Sequence, residues 1–306
     1  MYCHKVSFMM IFFFTMHPSS LKFRQWLLLG AGYSALHLAA RYDLGCVYGT
    51  TRTRQDDLKN AGIIPITTDF LAVHDEILGA VSTAEAVLVS VAPDAAGDPC
   101  LRLYQQALLA SPTVRWVGYL SSTSVYGDHQ GAKVTEDSPR LATSPRGVAR
   151  IMAEDAWLAL HKNHGLPVSI FRLSGIYGSG RSVFDKLAAG RAQRLDKPDH
   201  LFSRIHGVDI AGVVAASLNR APDVYNVCDT LPATGRQVVE YACAISGYPL
   251  PPLIPFEQAA LSEMAQSFYA DHRVILPEKI AGFYDFVYPT YREGLQAIFG
   301  DFHAGP

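Results

Sequence analysis

Residues 26–35 read Trp-Leu-Leu-Leu-Gly-Ala-Gly-Tyr-Ser-Ala, and this stretch decides the fold class. Four apolar residues make a short strand that stops at Gly30. The G-x-G-x-x-A run then opens a helical pattern rich in Ala and Leu over residues 33–41. Gly30 permits a tight turn, Gly32 lets a ligand approach the backbone, and the small Ala35 keeps helix and strand close. The start of the helix offers unpaired N–H groups and the positive end of the helix dipole, an arrangement that binds phosphate. An isolated G-x-G is weak, and an ordinary glycine turn is the simple alternative. Its position at the first strand–helix junction of a long alternating series reads as a dinucleotide-binding loop, contacted through Gly30, Gly32, Tyr33, Ser34 and Ala35.

Working outward, strands are predicted at residues 46–49, 63–66, 86–91, 114–120 and 168–173, and helices at 55–60, 101–110 and 146–161. The run at 86–91 is apolar at every position but Ser90, as strands buried on both faces nearly are. Strands alternating with helices of this length predict an α/β fold with a doubly wound parallel sheet. After Gly178 the texture changes to helical patches at 183–189, 208–219 and 236–246, separated by Pro- and Gly-rich loops, with one more strand at 224–227. The expected organisation is a dinucleotide-binding domain over residues 21–178 and a smaller, mostly helical substrate lobe over 179–306. Within the lobe, residues 204–230 return to the sheet.

The chain has 306 residues, of which 49% are hydrophobic, and a formal net charge of −2. That is enough for a large core, and nothing in the charge pattern marks a nucleic-acid surface. Cys3, Cys46, Cys100, Cys228 and Cys243 are scattered, with no C-x-x-C pair, so neither a metal site nor a disulfide framework is expected. A reducing cytoplasm fits that pattern. The apolar run at residues 6–14 is shorter than the roughly 20 residues a spanning helix needs, so no stable membrane insertion is expected. No small-x-small cleavage site follows it. Residues 1–20 read as an extension outside the fold, with Met16 as an alternative start.

The second strand points to the cofactor. NAD-specific loops of this kind place an acid about 20 residues past the glycines, on the ribose hydroxyls. Here residues 48–54 read Tyr-Gly-Thr-Thr-Arg-Thr-Arg, without an acid. Thr51, Arg52 and Arg54 suit a 2′-phosphate, because guanidinium donors match phosphate geometry. The expectation is NADP(H) in preference to NAD(H), against the alternative that these arginines only face solvent. Asp69 after the third strand is placed for the adenine, and Val91 and Ala92 after the fourth for a ribose.

Residues 119–127 read Tyr-Leu-Ser-Ser-Thr-Ser-Val-Tyr-Gly, and a helix begins near Arg146. With GAGYSA, LVSVAP, the Glu136-Asp137-Ser138-Pro139 stretch, FRLSGIYGSGR, RIHGVDIA, VYNVCD and the segment from Tyr288 to Gly294, these motifs stand in a characteristic order. In that order the chain resembles the extended, atypical short-chain dehydrogenase/reductases (SDR), of the NAD(P)-dependent epimerase/dehydratase-like group, from Trp26 almost to its end. The resemblance implies a Rossmann domain, a substrate lobe, a nicotinamide cofactor and a small-molecule substrate such as a sugar nucleotide. It implies that Ser122 polarises the substrate oxygen. The group's Tyr and Lys, which transfer the proton and hold the ribose, fall on Arg146 and Arg150. Arg150 can still hold ribose hydroxyls, but a guanidinium does not release its proton near neutral pH.

Three groups are candidates for the missing proton transfer: Tyr126, Tyr177 and His206. The structural alternative is that the tyrosines shape turns and His206 bonds a loop carbonyl. Arg146, Arg181 and Arg204 are candidate anchors for an anionic substrate, with surface ion pairing as the competing role. Two functions follow: an oxidoreductase or epimerase/dehydratase-like enzyme acting on a carbonyl or hydroxyl, and a non-catalytic NADP(H) sensor. The resemblance also implies a homodimer formed through the helices at 101–110 and 146–161.

Overall fold

A computed structural model describes residues 21–304; the extension at 1–20 lies outside the described residues. Seven strands build one parallel sheet: β1 (Gln25–Leu29), β2 (Cys46–Thr51), β3 (Ile64–Thr67), β4 (Ala86–Val89), β5 (Trp116–Ser122), β7 (Val168–Leu173) and β11 (Val224–Val227). Three short two-stranded pairs complete the strand set. They join β6 (Lys133–Val134) to β13 (Val274–Ile275), β8 (Gly175–Tyr177) to β10 (Arg204–His206), and β9 (Arg194–Asp196) to β12 (Leu253–Pro255).

The sheet order is β11-β7-β5-β4-β1-β2-β3. Chain order reverses between β1 and β4, so a crevice opens at the carboxyl ends of those strands, where sheets of this type bind ligands. The loop at Gly30 sits at that point. β4 and β7 are buried along their whole length, as a strand covered on both faces must be.

One face of the sheet is covered by α1 (Tyr33–Arg41), α2 (Gln55–Asn60), α7 (Gly207–Ser217) and α10 (Glu278–Ala281), with Leu38, Leu58, Val213 and Ile280 in its core. The other is covered by α3 (Asp75–Thr83), α4 (Pro99–Ala110) and α5 (Pro145–His164), through Ile77, Tyr104 and Trp157. The lobe adds α6 (Val183–Ala188), α8 (Gly235–Ser246), α9 (Glu263–Ala270) and α11 (Tyr291–Ala304). Its own core holds Tyr177, Phe184, Ala242, Tyr291 and Leu295.

Local signals set the limits of α5. Ser144 accepts a hydrogen bond from the Gly147 N–H, Pro145 fills the first helical position, and Gly165 ends the helix in a left-handed conformation. At α4, Asp98 accepts from the N–H groups of Cys100 and Leu101 and also from the Trp157 indole at 3.1 Å, tying α4 to α5. The helices α3 and α11 had no strong sequence signal. Gly79 interrupts the first and Gly294 and Gly300 the second, and glycine is a poor helix former. At Gly294 the packing supplies the reason, because a Cβ there would collide with the Tyr177 hydroxyl.

Beneath the carboxyl ends of β5 and β7 lies a buried ion pair. Glu154 of α5 is wholly buried, and Arg172 of β7 donates to it through Nε and Nη2, the latter at 2.9 Å. Ser121 Oγ donates to the same carboxylate at 2.6 Å, and Arg140 reaches it from the surface side at 3.3 Å. The other end of the Arg172 guanidinium donates to the Tyr126 hydroxyl and to the Glu136 carbonyl. Removing one partner of such a pair leaves an uncompensated buried charge. Glu154→Gln is therefore expected to lower the unfolding free energy by about 3–5 kcal/mol. Urea denaturation checks this, and a loss within about 1 kcal/mol of zero, the range typical of an exposed pair, would contradict it.

Candidate functional site

Gly30 has φ +84°, a conformation that favours glycine, and its carbonyl accepts from the Ser90 hydroxyl. The loop is held from the neighbouring strand by Thr50, whose Oγ1 accepts the Gly30 N–H at 2.6 Å and whose carbonyl accepts the Ala31 N–H at 2.8 Å. Sequence reasoning missed Thr50, because its role depends on the pairing of β1 with β2. At Gly32 a Cβ would meet nothing nearer than the Gly30 carbonyl oxygen at 3.9 Å, so the backbone is open on that side. Gly32 caps α1 without a side-chain bond, and no acid lies in the first turn. An open glycine, unpaired helix N–H groups and the absence of negative charge fit a dinucleotide diphosphate.

At the other end of the crevice, Arg52 is exposed and has no hydrogen-bond or ion-pair partner among the described residues. Arg54 is engaged by Asp57 at 2.7 Å, and its N–H donates to Thr51 Oγ1. Asp69 uses one oxygen to accept the Leu71 N–H, closing its own turn. Val91 and Ala92 follow β4, with the Val91 side chain against Gly30.

The carboxyl end of β5 carries Ser122, which lies opposite Leu173 of β7 in the sheet register. Ser122 Oγ accepts the Ser124 N–H at 3.1 Å and caps a 3-10 turn over Thr123–Tyr126. A hydroxyl that accepts here still has its own proton to donate. Arg146 stands in the first turn of α5, exposed and without a partner among the described residues. Arg150 is turned onto β5, where Nη1 donates to the Leu120 carbonyl at 2.8 Å. Tyr126 is 0% exposed; it donates to Asn226 Oδ1 at 2.6 Å and accepts from Arg172. Burial raises its pKa. This geometry leaves Tyr126 no open path to a substrate.

Tyr177 is also buried. Its hydroxyl donates to the Thr290 carbonyl at 3.3 Å, and burial raises its pKa. His206 caps α7 by accepting the Val208 N–H on Nδ1 at 3.1 Å, and burial pulls its imidazole down to about 4. Its ring lies edge-on to Tyr177 and Tyr288. Arg204 donates through Nη1 to the carbonyls of Phe202 and Ala233, at 2.9 and 2.7 Å. Arg181 is exposed, with its guanidinium over the Tyr33 ring at 5.7 Å. The structure thus brings Tyr177 and His206 together, with ring centroids 5.1 Å apart, and sets Arg204 close enough to act on the Tyr177 hydroxyl. Among the described residues no group of three His, Cys, Asp or Glu is placed to hold a metal ion. No helix among them is long and apolar enough to cross a membrane.

Three comparisons bear on what this architecture is. The model of the NAD dependent epimerase/dehydratase family matches residues 102–228. Protein YeeZ of Escherichia coli K12 is 31% identical over 212 residues, which cover 63% of this chain and 72% of YeeZ. The chain belongs to the NAD dependent epimerase/dehydratase family. A solved structure from Silicibacter pomeroyi, described as a functionally unknown conserved protein, is similar at a TM-score of 0.81 and 38% identity. The match covers 91% of this chain and 99% of that one. The dTDP-glucose 4,6-dehydratase of Bacillus anthracis, solved in complex with NAD, shares the fold at a TM-score of 0.70 and 16% identity, over 92% of this chain and 97% of its own. This family fold is the extended SDR architecture that the ordered motifs had implied.

Asp229, at the end of β11, emerges only from the structure. The sequence reads it as a turn residue, and Oδ1 does accept the Leu231 N–H. Oδ2 is buried without a partner among the described residues, and burial lifts the carboxyl to about 7. An unfolded chain releases that proton near pH 4, at about 3.9. The folded state therefore binds more protons between roughly pH 4 and 7, and this group makes stability fall as pH rises through that window. Asp229→Asn removes the effect. Relative to wild type, the variant is expected to gain up to about 4 kcal/mol as pH rises from about 4 to about 7. Chemical denaturation across that range checks it; parallel curves for the two proteins would contradict it.

Proposed function

We propose that this protein is an NADP(H)-dependent oxidoreductase that acts on a carbonyl or hydroxyl group of a small polar substrate, with sugar nucleotides as the leading class. The observation that carries the cofactor preference is Arg52, exposed and without a partner among the described residues just beyond β2, in a segment that lacks the acid expected for NAD. The loop at Gly30–Ala35 holds the diphosphate, and Arg52 holds the 2′-phosphate, assisted by Thr51 and Arg54. Asp69, Val91 and Ala92 line the adenosine half. A bound nicotinamide supplies or accepts the hydride. Ser122 donates its hydroxyl to the substrate oxygen, which favours charge developing there. Arg146 keeps a fixed positive charge beside that wall, and the donors of Arg150 not used on Leu120 serve the ribose. Arg204 anchors an anionic part of the substrate in the lobe.

A second reading has a specific observation behind it. Tyr126 and Tyr177 have their hydroxyls engaged inside the protein, and His206 has Nδ1 taken by the Val208 N–H. With no other titratable group assigned to proton transfer, the protein reads as an NADP(H) sensor that binds without turnover. In the enzyme reading, the proton exchanges with solvent through the open side of Ser122. The described cysteines are free thiols, a state that a reducing cytoplasm preserves.

The two readings separate in one set of measurements. Binding of NADPH and NADH is compared by calorimetry, and turnover is followed with a panel of aldehydes, ketones and sugar nucleotides. NADPH is expected to bind at least roughly tenfold more tightly, a preference that Arg52→Ala abolishes. Turnover with any panel member, reduced at least about a hundredfold by Ser122→Ala, supports the enzyme. Tight NADPH binding without turnover favours the sensor, and equal affinities unmoved by Arg52→Ala overturn the NADP(H) assignment.

A homodimer through α4 and α5 belongs to the same proposal. Val148 and Met152 are 40% and 53% exposed on the outer side of α5, beside a groove that Leu101, Leu103 and Ala156 line. A second copy would cover that apolar face. Met152→Glu is expected to convert the protein to a monomer in sedimentation at micromolar concentration; a wild-type monomer would remove the idea.

A further inference from the structure

We infer that Arg181, rather than anchoring substrate, closes over the diphosphate of the dinucleotide; this rests on the reading above that the Gly30–Ala35 loop holds a nicotinamide dinucleotide. Arg181 reaches that loop through Tyr33. Tyr33 is the first residue of α1, directly after the open Gly32, and its ring projects toward the turn at residues 178–181. The Tyr33 hydroxyl donates to the Ser179 carbonyl at 3.4 Å. Its ring is boxed by two glycines. A Cβ at Gly178 would collide with the Tyr33 hydroxyl, and one at Gly207 would lie 2.8 Å from Tyr33 Cε1. Gly178 has φ +155°, and the turn closes through an antiparallel bridge between Gly178 and Arg181, with the Arg181 N–H donating to the Gly178 carbonyl at 3.0 Å. The turn is therefore a short, defined hairpin seated on the start of α1.

This seating brings the Arg181 guanidinium to the face of the Tyr33 ring, 5.7 Å from its centroid. Stacking on an aromatic face orients a guanidinium while leaving its in-plane N–H donors free. Asp185, the acid of the following helix, lies near enough to act on the same Tyr33 hydroxyl, but it makes no ion pair with Arg181 among the described residues. Its carboxylate accepts from the Ser182 N–H and hydroxyl in a capping box. The first turn of α1 carries no acid. An oriented cation with no ion pair among the described residues, held against the residue that begins an anion-binding helix, is suited to a diphosphate. The backbone donors of α1 approach from the sheet side, and Arg181 approaches from the lobe side. Cofactor binding would then also fix the lobe against the dinucleotide domain.

The test uses the full-length protein and titrates ADP-ribose, which carries the diphosphate but lacks both the nicotinamide and the 2′-phosphate. Adenosine 2′-monophosphate, which lacks the diphosphate, is the control. Arg181→Ala is expected to weaken ADP-ribose binding roughly tenfold or more and to leave adenosine 2′-monophosphate unchanged, with Arg181→Lys intermediate. Unchanged affinity for ADP-ribose in Arg181→Ala overturns the inference. An equal loss for both ligands also overturns it, because the residue would then act on the fold of the site as a whole. Arg181 is exposed, and an unaltered melting temperature confirms an intact variant. If the NADP(H) preference itself fails, Arg52→Ala reports that separately, and the ADP-ribose arm stays readable.

Discussion

The site wall depends on one buried charge pair. Glu154 and Arg172 lie under the carboxyl ends of β5 and β7, where the strands deliver Ser122 and Leu173. A carboxylate without water must be fully bonded, and here it receives Ser121, Arg172 and Arg140. Arg172 in turn orders Tyr126 and the Glu136 carbonyl, and the Glu136 carboxylate accepts the Asn226 N–H of β11. Three adjacent strands, the helix α5 and the loop before it thus share a single polar network. Its directional bonds set where the end of β5 stands relative to the start of α5, which is the geometry that Ser122 and Arg146 inherit.

The opposite side of the crevice is built on a different principle. There the backbone is left open, and side chains hold it in shape. Gly30 turns the chain, Thr50 and Ser90 pin it, and Gly32 leaves it open. Charge enters at the two ends, through Arg52 just beyond β2 and Arg181 over Tyr33. A backbone cradle with peripheral cations suits a polyanionic ligand, since the helix dipole and the guanidinium groups act on the same charges.

Much of this was legible along the chain. The Gly30–Ala35 loop is a local motif, and its neighbours by sequence are its neighbours in space. The helix α5 runs three residues past its expected end at 161, to His164, where Gly165 stops it. Its start was legible to within one residue, because Ser144 and Pro145 act within the first turn. Residues 33–41, 55–60, 168–173 and 224–227 form their expected elements for the same reason. Tyr126, Tyr177 and His206 show the opposite case. Each sits in a motif of the right composition, yet its hydroxyl or imidazole meets Asn226, the Thr290 carbonyl or the Val208 N–H. For the two tyrosines those partners lie 100 and 113 positions away along the chain, and no periodicity or spacing rule reports them. Thr50 went unremarked and Asp229 read only as a turn residue for the same reason, since the bonds of Thr50 and the burial of Asp229 exist only once strands are paired.

By itself, the sequence determined the alternating architecture, the dinucleotide loop, the lack of an acid after the second strand and the membership implied by its ordered motifs. All of these are encoded in local order, where chain proximity guarantees spatial proximity. Tertiary structure alone decided which polar groups remain available. It buried Tyr126, capped α7 with His206, left Arg52 and Arg146 without partners among the described residues and set Arg181 on the ring of Tyr33. Availability is a property of long-range packing, because a side chain is free for chemistry only after every other segment has found, or failed to find, its way to it.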